Sequence, residues 1–237
     1  MDSRPCSRLL HLLDRRLPAS PLPTGSHMSL VVNISDVGAA QAIARAAEAL
    51  RDGRLVIVPT DTVYGIAADA RSPAAVEHLF EAKGRRKDKP IPLLAASLGD
   101  VEEYGATMDA VEKRLAERFW PGPLTLVLNV DRNGRFSTEG FRVPADDATL
   151  ELIRAAGGTL RVTSANSSGD PPALTADAAE RALGAFVDLV LDAGPAPGGV
   201  PSTVVQVTAE GITILREGAL DREQLEEAAS VGGDGLN

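Results

Sequence analysis

The chain is short of the residues that usually carry nucleophilic or metal chemistry. Its 237 residues include one cysteine, Cys6, close to the N-terminus. A disulfide framework, a thiolate nucleophile and a cysteine-built zinc site are thereby excluded from the folded part. There are three histidines, His11, His27 and His78, and two of them precede the first regular pattern. One remaining histidine rules out a multi-histidine zinc site and leaves little room for a Ser-His-Asp triad. Aromatic residues make up 3%, too few for a base-stacking platform. No apolar run approaches the roughly 18 to 20 residues that cross a bilayer. Catalysis by such a chain must rest on positioning and electrostatics, using Lys, Arg, Ser, Thr, Asn and carboxylates.

What is present is a globular composition, 44% hydrophobic, with a net charge of −9. That charge repels polyanions, so broad nucleic-acid binding is not the expected main role. The length suits one well-buried domain or two small ones. Residues 1–27 mix Pro, Ser and Arg without periodicity and are set apart as a non-native or disordered tail. Gly25-Ser26-His27-Met28 reads either as a cloning remnant before a natural start at Met28 or as an upstream extension. Residues 28–237 are expected to form a single catalytic domain, since no linker and no internal repeat interrupts them.

Over that span helix and strand signals alternate. The pattern predicts a helix over 36–51 capped by Ser35, a strand over 55–58, and a helix from Pro73 to about Lys83 capped by Ser72. Strands are predicted at 91–95, 124–130, 140–144, 160–163 and 187–191. Helices are predicted at 109–119, 149–156 and 177–183. A hairpin over 204–207 and 212–215 and a helix from Asp221 to about Ala229 close the chain. The fold class is α/β with a mixed sheet, because the order is not a clean βαβ repeat and ends in a hairpin.

Five loops follow these elements and carry polar side chains. Pro59-Thr60-Asp61-Thr62-Val63-Tyr64-Gly65 offers two hydroxyls and a turning carboxylate, although a plain Asx-capped turn reads the same way. Lys83-Gly84-Arg85-Arg86-Lys87-Asp88-Lys89-Pro90 concentrates five cations in an acidic chain, as a phosphate grip or as a solvated loop after a helix end. Phe119-Trp120-Pro121-Gly122-Pro123-Leu124-Thr125 is chiefly a rigid turn, with Thr125 as its candidate ligand group. Ser164-Ala165-Asn166-Ser167-Ser168-Gly169 continues a strand into hydroxyl and amide groups suited to phosphate or ribose oxygens. The fifth pairs Pro201-Ser202-Thr203-Val204 with Leu215-Arg216-Glu217-Gly218.

Taken together, PTDTVYG at 59–65, KGR at 83–85, WPGPLT at 120–125, RVP at 142–144, SANSSG at 164–169, STVV at 202–205 and LREG at 215–218 resemble the YrdC/Sua5 family of threonylcarbamoyl-AMP synthases. Each motif is weak alone, whereas their order over about 53–218 is distinctive. The resemblance is to the short form without a further C-terminal domain. It implies a YrdC-like fold, a twisted mixed open sheet with flanking helices around a large, positively lined cavity. It implies a cytoplasmic nucleotidyltransferase, an L-threonylcarbamoyladenylate synthase joining L-threonine, bicarbonate and ATP into threonylcarbamoyl-AMP and pyrophosphate, for the t6A modification of tRNA at position 37. Its K-x-R and S-x-N elements fall on Lys83, Arg85, Ser164 and Asn166, the expected catalytic set. ATP is expected to meet these four together with Thr125, Thr175 and Arg216. Threonine and bicarbonate are expected to meet Thr60, Thr62, Tyr64, Arg142 and Ser202. Mg²⁺ is expected to travel with ATP rather than in a dedicated protein cage. Transient contact with tRNA or a t6A transferase complex is the implied partnership, with no membrane. Two positions depart from the family pattern: Arg86 stands where proline often follows K-x-R, and Asp146 stands where R-x-P-x-H places histidine. The alternatives are a YrdC-like RNA-binding module without its own turnover, a carbamoyl-adenylate step in metallocentre maturation, and a degenerate ligand-binding paralogue.

Overall fold

The alternating short apolar runs and amphipathic stretches assemble around one mixed sheet in a computed structural model that describes residues 29–167 and 169–230. The anticipated tail over 1–27 and Ser168 of the SANSSG motif lie outside the described residues. In chain order the elements are β1 (Leu30–Asn33), α1 (Ile34–Val37), α2 (Ala39–Arg51), β2 (Val56–Val58), β3 (Gly65–Asp69), α3 (Pro73–Ala82), β4 (Leu93–Ala95), α4 (Leu98–Glu103) and β5 (Ala106–Thr107). They continue as α5 (Ala110–Phe119), β6 (Leu124–Arg132), β7 (Arg135–Arg142), α6 (Asp147–Ala156), β8 (Thr159–Ser164), α7 (Ala176–Leu183), β9 (Leu189–Asp192), β10 (Thr203–Thr208), β11 (Gly211–Arg216) and α8 (Arg222–Ser230).

The strands order as β1-β9-β2-β3-β8-β4-β7-β6-β10-β11, with β5 paired to β6 alone. Parallel pairs (β1 with β9, β9 with β2, β4 with β7, β6 with β10) are interleaved with antiparallel ones. Local signals explain the helices. Pro73 at the first turn and the Ser72 side chain accepting from Ala75 N start α3. Asp109 and Glu112 form a reciprocal capping box on α5. The single helix predicted over 36–51 is two: Asn33, not Ser35, caps α1, and Gly38 at φ 83 interrupts the run before α2 begins.

Alternation along the strands divides the core in two. Val56, Val58 and Ala67 face a layer with α2, α5, α6 and α8, whereas Ile57, Ile66 and Ala68 face α3 and α7. The second layer stops at β2, β3 and β9. Over β6 and β7 the first face is buried through Leu124, Leu126, Leu128 and Phe141, and among the described residues α5 is the helix with substantial contact to this pair. The opposite half-face, flanked by the loops after β2, α3 and β9, is a cleft.

Candidate functional site

The cleft encloses about 610 Å³, including solvent at its mouth. Thr60, Thr62, Arg85, Thr125, Arg142, Ser164, Ser202 and Arg216 all stand on its wall. They are eight of the twelve side chains anticipated from the sequence. Val63, Pro92, Leu94 and Val162 supply an apolar part of the same wall, which no local motif signals. A wider concavity between α5 and α8 is lined by Arg114, Glu117, Arg118 and Gln224 among others and holds none of the motif residues.

The loop after β2 is set by its own hydroxyls. Thr60 Oγ1 donates to Val63 O at 2.6 Å and accepts from the backbone N–H groups of Thr62 and Val63. Its proton is thus committed, and the Thr62 hydroxyl lies 3.0 Å away. Thr62 Oγ1 in turn accepts from Arg142 Nη1 at 2.9 Å. Arg142 also donates from Nε to Gly122 O at 2.9 Å and from Nη2 to Asp61. Burial holds the Arg142 guanidinium below its ordinary range, opposed by the Asp61 carboxylate. On the far wall Arg216 Nη2 donates to Ser202 O at 2.7 Å and Ser202 Oγ at 3.0 Å, and Ser202 Oγ lies 2.8 Å from Thr125 Oγ1. Arg85 is fixed by Lys89 O and Pro90 O at 2.9 and 3.0 Å. Burial lowers both Arg85 and Arg216, and Arg85 adds to the depression of Arg216. Three guanidinium groups on the wall, of which only Arg142 is paired with a carboxylate, make a strongly anion-seeking site in an acidic chain.

Four anticipated residues stand off the wall. Lys83 is buried behind it, where Nζ donates to Ser164 O at 2.6 Å, to Asn166 O, and to Asn166 Oδ1 at 3.3 Å. The K-x-R and S-x-N elements therefore do meet, by a direct bond. Desolvation, with repulsion from Arg85 behind it, lowers the Lys83 ammonium to about 8. Asn166 directs its amide to Ser167 O and Asp170 O, closing its own loop. Tyr64 is fully buried in the layer with α3 and α7. Its hydroxyl donates to Gly194 O at 2.6 Å and accepts from Ala193 N at 3.2 Å, and burial pushes it up to about 12. Tyr64 thus holds the loop after β9 instead of facing the cleft. Thr175 caps α7 through Ala178 N, which places its hydroxyl at a helix start away from the wall. Asp146 likewise caps α6, accepting from Thr149 N at 2.8 Å. The exposed basic loop is less free than its sequence suggests: Arg86 pairs with Asp88, and Lys87 with Glu77.

The fold is an α/β sheet with a cation-lined, hydroxyl-rich cleft. The sequence profile of the Sua5/YciO/YrdC family, described as telomere recombination, matches residues 48–218, and the chain belongs to that family. A Mycobacterium leprae protein bearing threonylcarbamoyl-AMP synthase in its name is 41% identical over 198 residues, 81% of this chain and 90% of that one. The threonylcarbamoyl-AMP synthase of Bacillus subtilis is 35% identical over 191 residues, 78% of this chain and 55% of its own length. The crystal structure of Pyrococcus abyssi Sua5 complexed with L-threonine superposes with a TM-score of 0.79 at 34% identity, covering 86% of this chain and 61% of that one. The expected α/β architecture is thus the family's own. Among the described residues no helix is long and apolar enough to cross a membrane.

Proposed function

We propose that this chain is an L-threonylcarbamoyladenylate synthase, a nucleotidyltransferase using L-threonine, bicarbonate and ATP. The observation that carries the reading is the convergence of Arg85, Arg142 and Arg216 with Thr60, Thr62, Thr125, Ser164 and Ser202 on one cleft wall. Named relatives support the substrate class: the Bacillus subtilis and Pyrococcus abyssi proteins are threonylcarbamoyl-AMP synthases, and the latter's structure contains L-threonine.

In this reading threonine's amine captures bicarbonate with loss of water, giving an N-carboxylate. One oxygen of that carboxylate attacks the α-phosphorus of ATP, and pyrophosphate leaves with the electron pair of the broken P–O bond. No covalent enzyme intermediate is required, in keeping with a chain that lacks suitable Cys and His. Arg85 and Arg216 neutralise the phosphates as charge moves onto pyrophosphate, and Ser164 together with the Thr125–Ser202 pair, which has one hydroxyl proton to spare, donates to phosphate oxygens. Arg142 and the Thr60–Thr62 loop receive threonine's carboxylate, while the apolar patch of Val63, Pro92 and Val162 suits its methyl group. Lys83 and Asn166 hold the phosphate loops together from behind. Among the described residues no group of three or more His, Cys, Asp and Glu could hold a metal, and the Asp61 carboxylate is tied to Arg142. Mg²⁺ carried on the nucleotide's phosphates would supply further charge neutralisation.

The test is pyrophosphate release with each amino acid in turn, with and without bicarbonate. Release that requires both threonine and bicarbonate is the expected result. Turnover with serine but not threonine would move the substrate, and steeply salt-dependent tRNA binding without turnover would favour an RNA-binding module.

A further inference from the structure

Asp61 lies inside the PTDTVYG motif but does not stand on the cleft wall. Its carboxylate and the Arg142 guanidinium are both about nine-tenths buried, with side-chain exposures of 11% and 7%. No other ion pair among the described residues is as deeply buried on both sides. The two residues are 81 positions apart, so the pair is built by the fold and not by local sequence.

A guanidinium carries five N–H groups. In Arg142 the Nε proton goes to Gly122 O, one Nη1 proton to Thr62 and one Nη2 proton to Asp61. One N–H is left on each terminal nitrogen, and Arg142 is among the residues that line the cleft, so these N–H groups are its donors to an anionic ligand. Remove the Asp61 anion and two things change together. The guanidinium loses the contact that fixes its plane, and a buried cation loses the charge that offsets its desolvation. Thr62, which accepts from Arg142, shares in the change, whereas Arg85 and Arg216 keep their anchors on Lys89 O, Pro90 O and Ser202.

Resting on the proposed function, we infer that Asp61 is a positioning residue. It aims Arg142 at the carboxylate of the amino-acid substrate and so governs affinity for threonine without touching either substrate. The alternative is a salt bridge that merely holds the loop after β2 to β7.

Steady-state pyrophosphate release on wild type, Asp61→Asn and Asp61→Glu, with threonine and ATP varied separately and with thermal unfolding recorded, separates these. Asp61→Asn should raise KM for threonine by about ten- to a hundredfold, the cost of misaligning a binding group, while KM for ATP stays close to wild type. Asp61→Glu, which keeps the charge at a longer reach, should fall between the two. If Asp61→Asn does not fold, Asp61→Glu decides: threonine KM must rise alone at near-wild-type melting. An unchanged threonine KM overturns the role. So does an equal rise in both KM values with a lowered melting temperature, which would mark the pair as structural only. A wild-type protein that releases no pyrophosphate with threonine overturns the proposed function and this inference with it. An active wild type indifferent to Asp61 overturns the inference alone.

Discussion

The Lys83 ammonium lies 2.6 Å from the carbonyl oxygen of Ser164. This bond joins the loop after α3 to the loop after β8, the two segments that carry the phosphate-directed motifs. With Asn166 O and Oδ1 as its other acceptors, the ammonium has a partner for each of its three protons. Lys83 therefore acts first as a clamp. Lys83→Ala should lower turnover on the order of a hundredfold, by letting both loops drift from phosphate.

The pH dependence of that clamp has a definite sign. The folded-state value of about 8 lies below the ordinary 10.5. Between the two, the unfolded chain holds this proton while the folded chain has released it. Stability attributable to Lys83 therefore grows as pH rises through that window, and the cost of burying the cation is fully present below it. Turnover moves the opposite way, because a neutral amine clamps two carbonyls poorly. A pH–rate profile should fall through about pH 8, and Lys83→Arg, which stays charged, should lose that limb. A profile unchanged by the substitution would show that the descending limb belongs to another group.

Tyr64 makes a separable claim. Its ring is core, and its hydroxyl holds Ala193 and Gly194, with Asp192 Oδ1 at 3.4 Å, at the start of the loop that delivers Pro201 and Ser202 to the cleft. Tyr64→Phe keeps the ring and drops both bonds, at a cost of about 1 kcal/mol. KM for threonine and ATP should both rise a few-fold as Ser202 loosens. A Tyr64→Phe enzyme with wild-type kinetics would mean that the loop is held by its other anchors, such as Gly199 N on Thr62 O at 2.8 Å.

Gly65 shows why β3 has the sequence it has. A Cβ there would sit 2.6 Å from Val162 Cγ1 and 3.3 Å from Thr163 O, across the β3–β8 pair. Both Gly65 and Val162 line the cleft. Gly65→Ala should destabilise by about 1–3 kcal/mol through overpacking and narrow the apolar wall. Chemical denaturation checks the first effect, and a raised threonine KM the second. Combining it with Val162→Ala should recover part of the loss.

These contacts mark where the sequence stops being informative. Helix α5 is legible because its signals are local: an Asp109 cap, Glu112 three residues on, and an apolar stripe ending at Phe119. The closing hairpin is legible for the same reason. Strand β3 is not, since Gly-Ile-Ala-Ala-Asp lacks the β-branched run that marks a strand, and it reads as the tail of a loop. The edge strand β1 and the six-residue α4 are too short to register. At the site, motif membership identifies loops but not orientations. Nothing local says that Tyr64 turns inward while Thr62 turns toward the cleft, or that Asp61 finds Arg142. Those outcomes are decided by which sheet face the two helices α3 and α7 cover.

Asp146 is a case where a departure from the family pattern has a local cause. Its carboxylate accepts from Thr149 N at 2.8 Å at the start of α6, and Thr149 Oγ1 donates to Pro59 O at 2.6 Å, where the threonine-rich loop begins. The residue is a helix cap beside the cleft and not part of its wall. Asp146→Ala should cost about 1 kcal/mol, and Asp146→Ser should restore most of it, with turnover and both KM values near wild type in each. Asp146→His, which restores the histidine of the family pattern, should behave like Asp146→Ala in unfolding, because an imidazole is a poor helix cap. A large gain in threonine affinity from Asp146→His would instead place this position in the substrate pocket and redraw the wall described here.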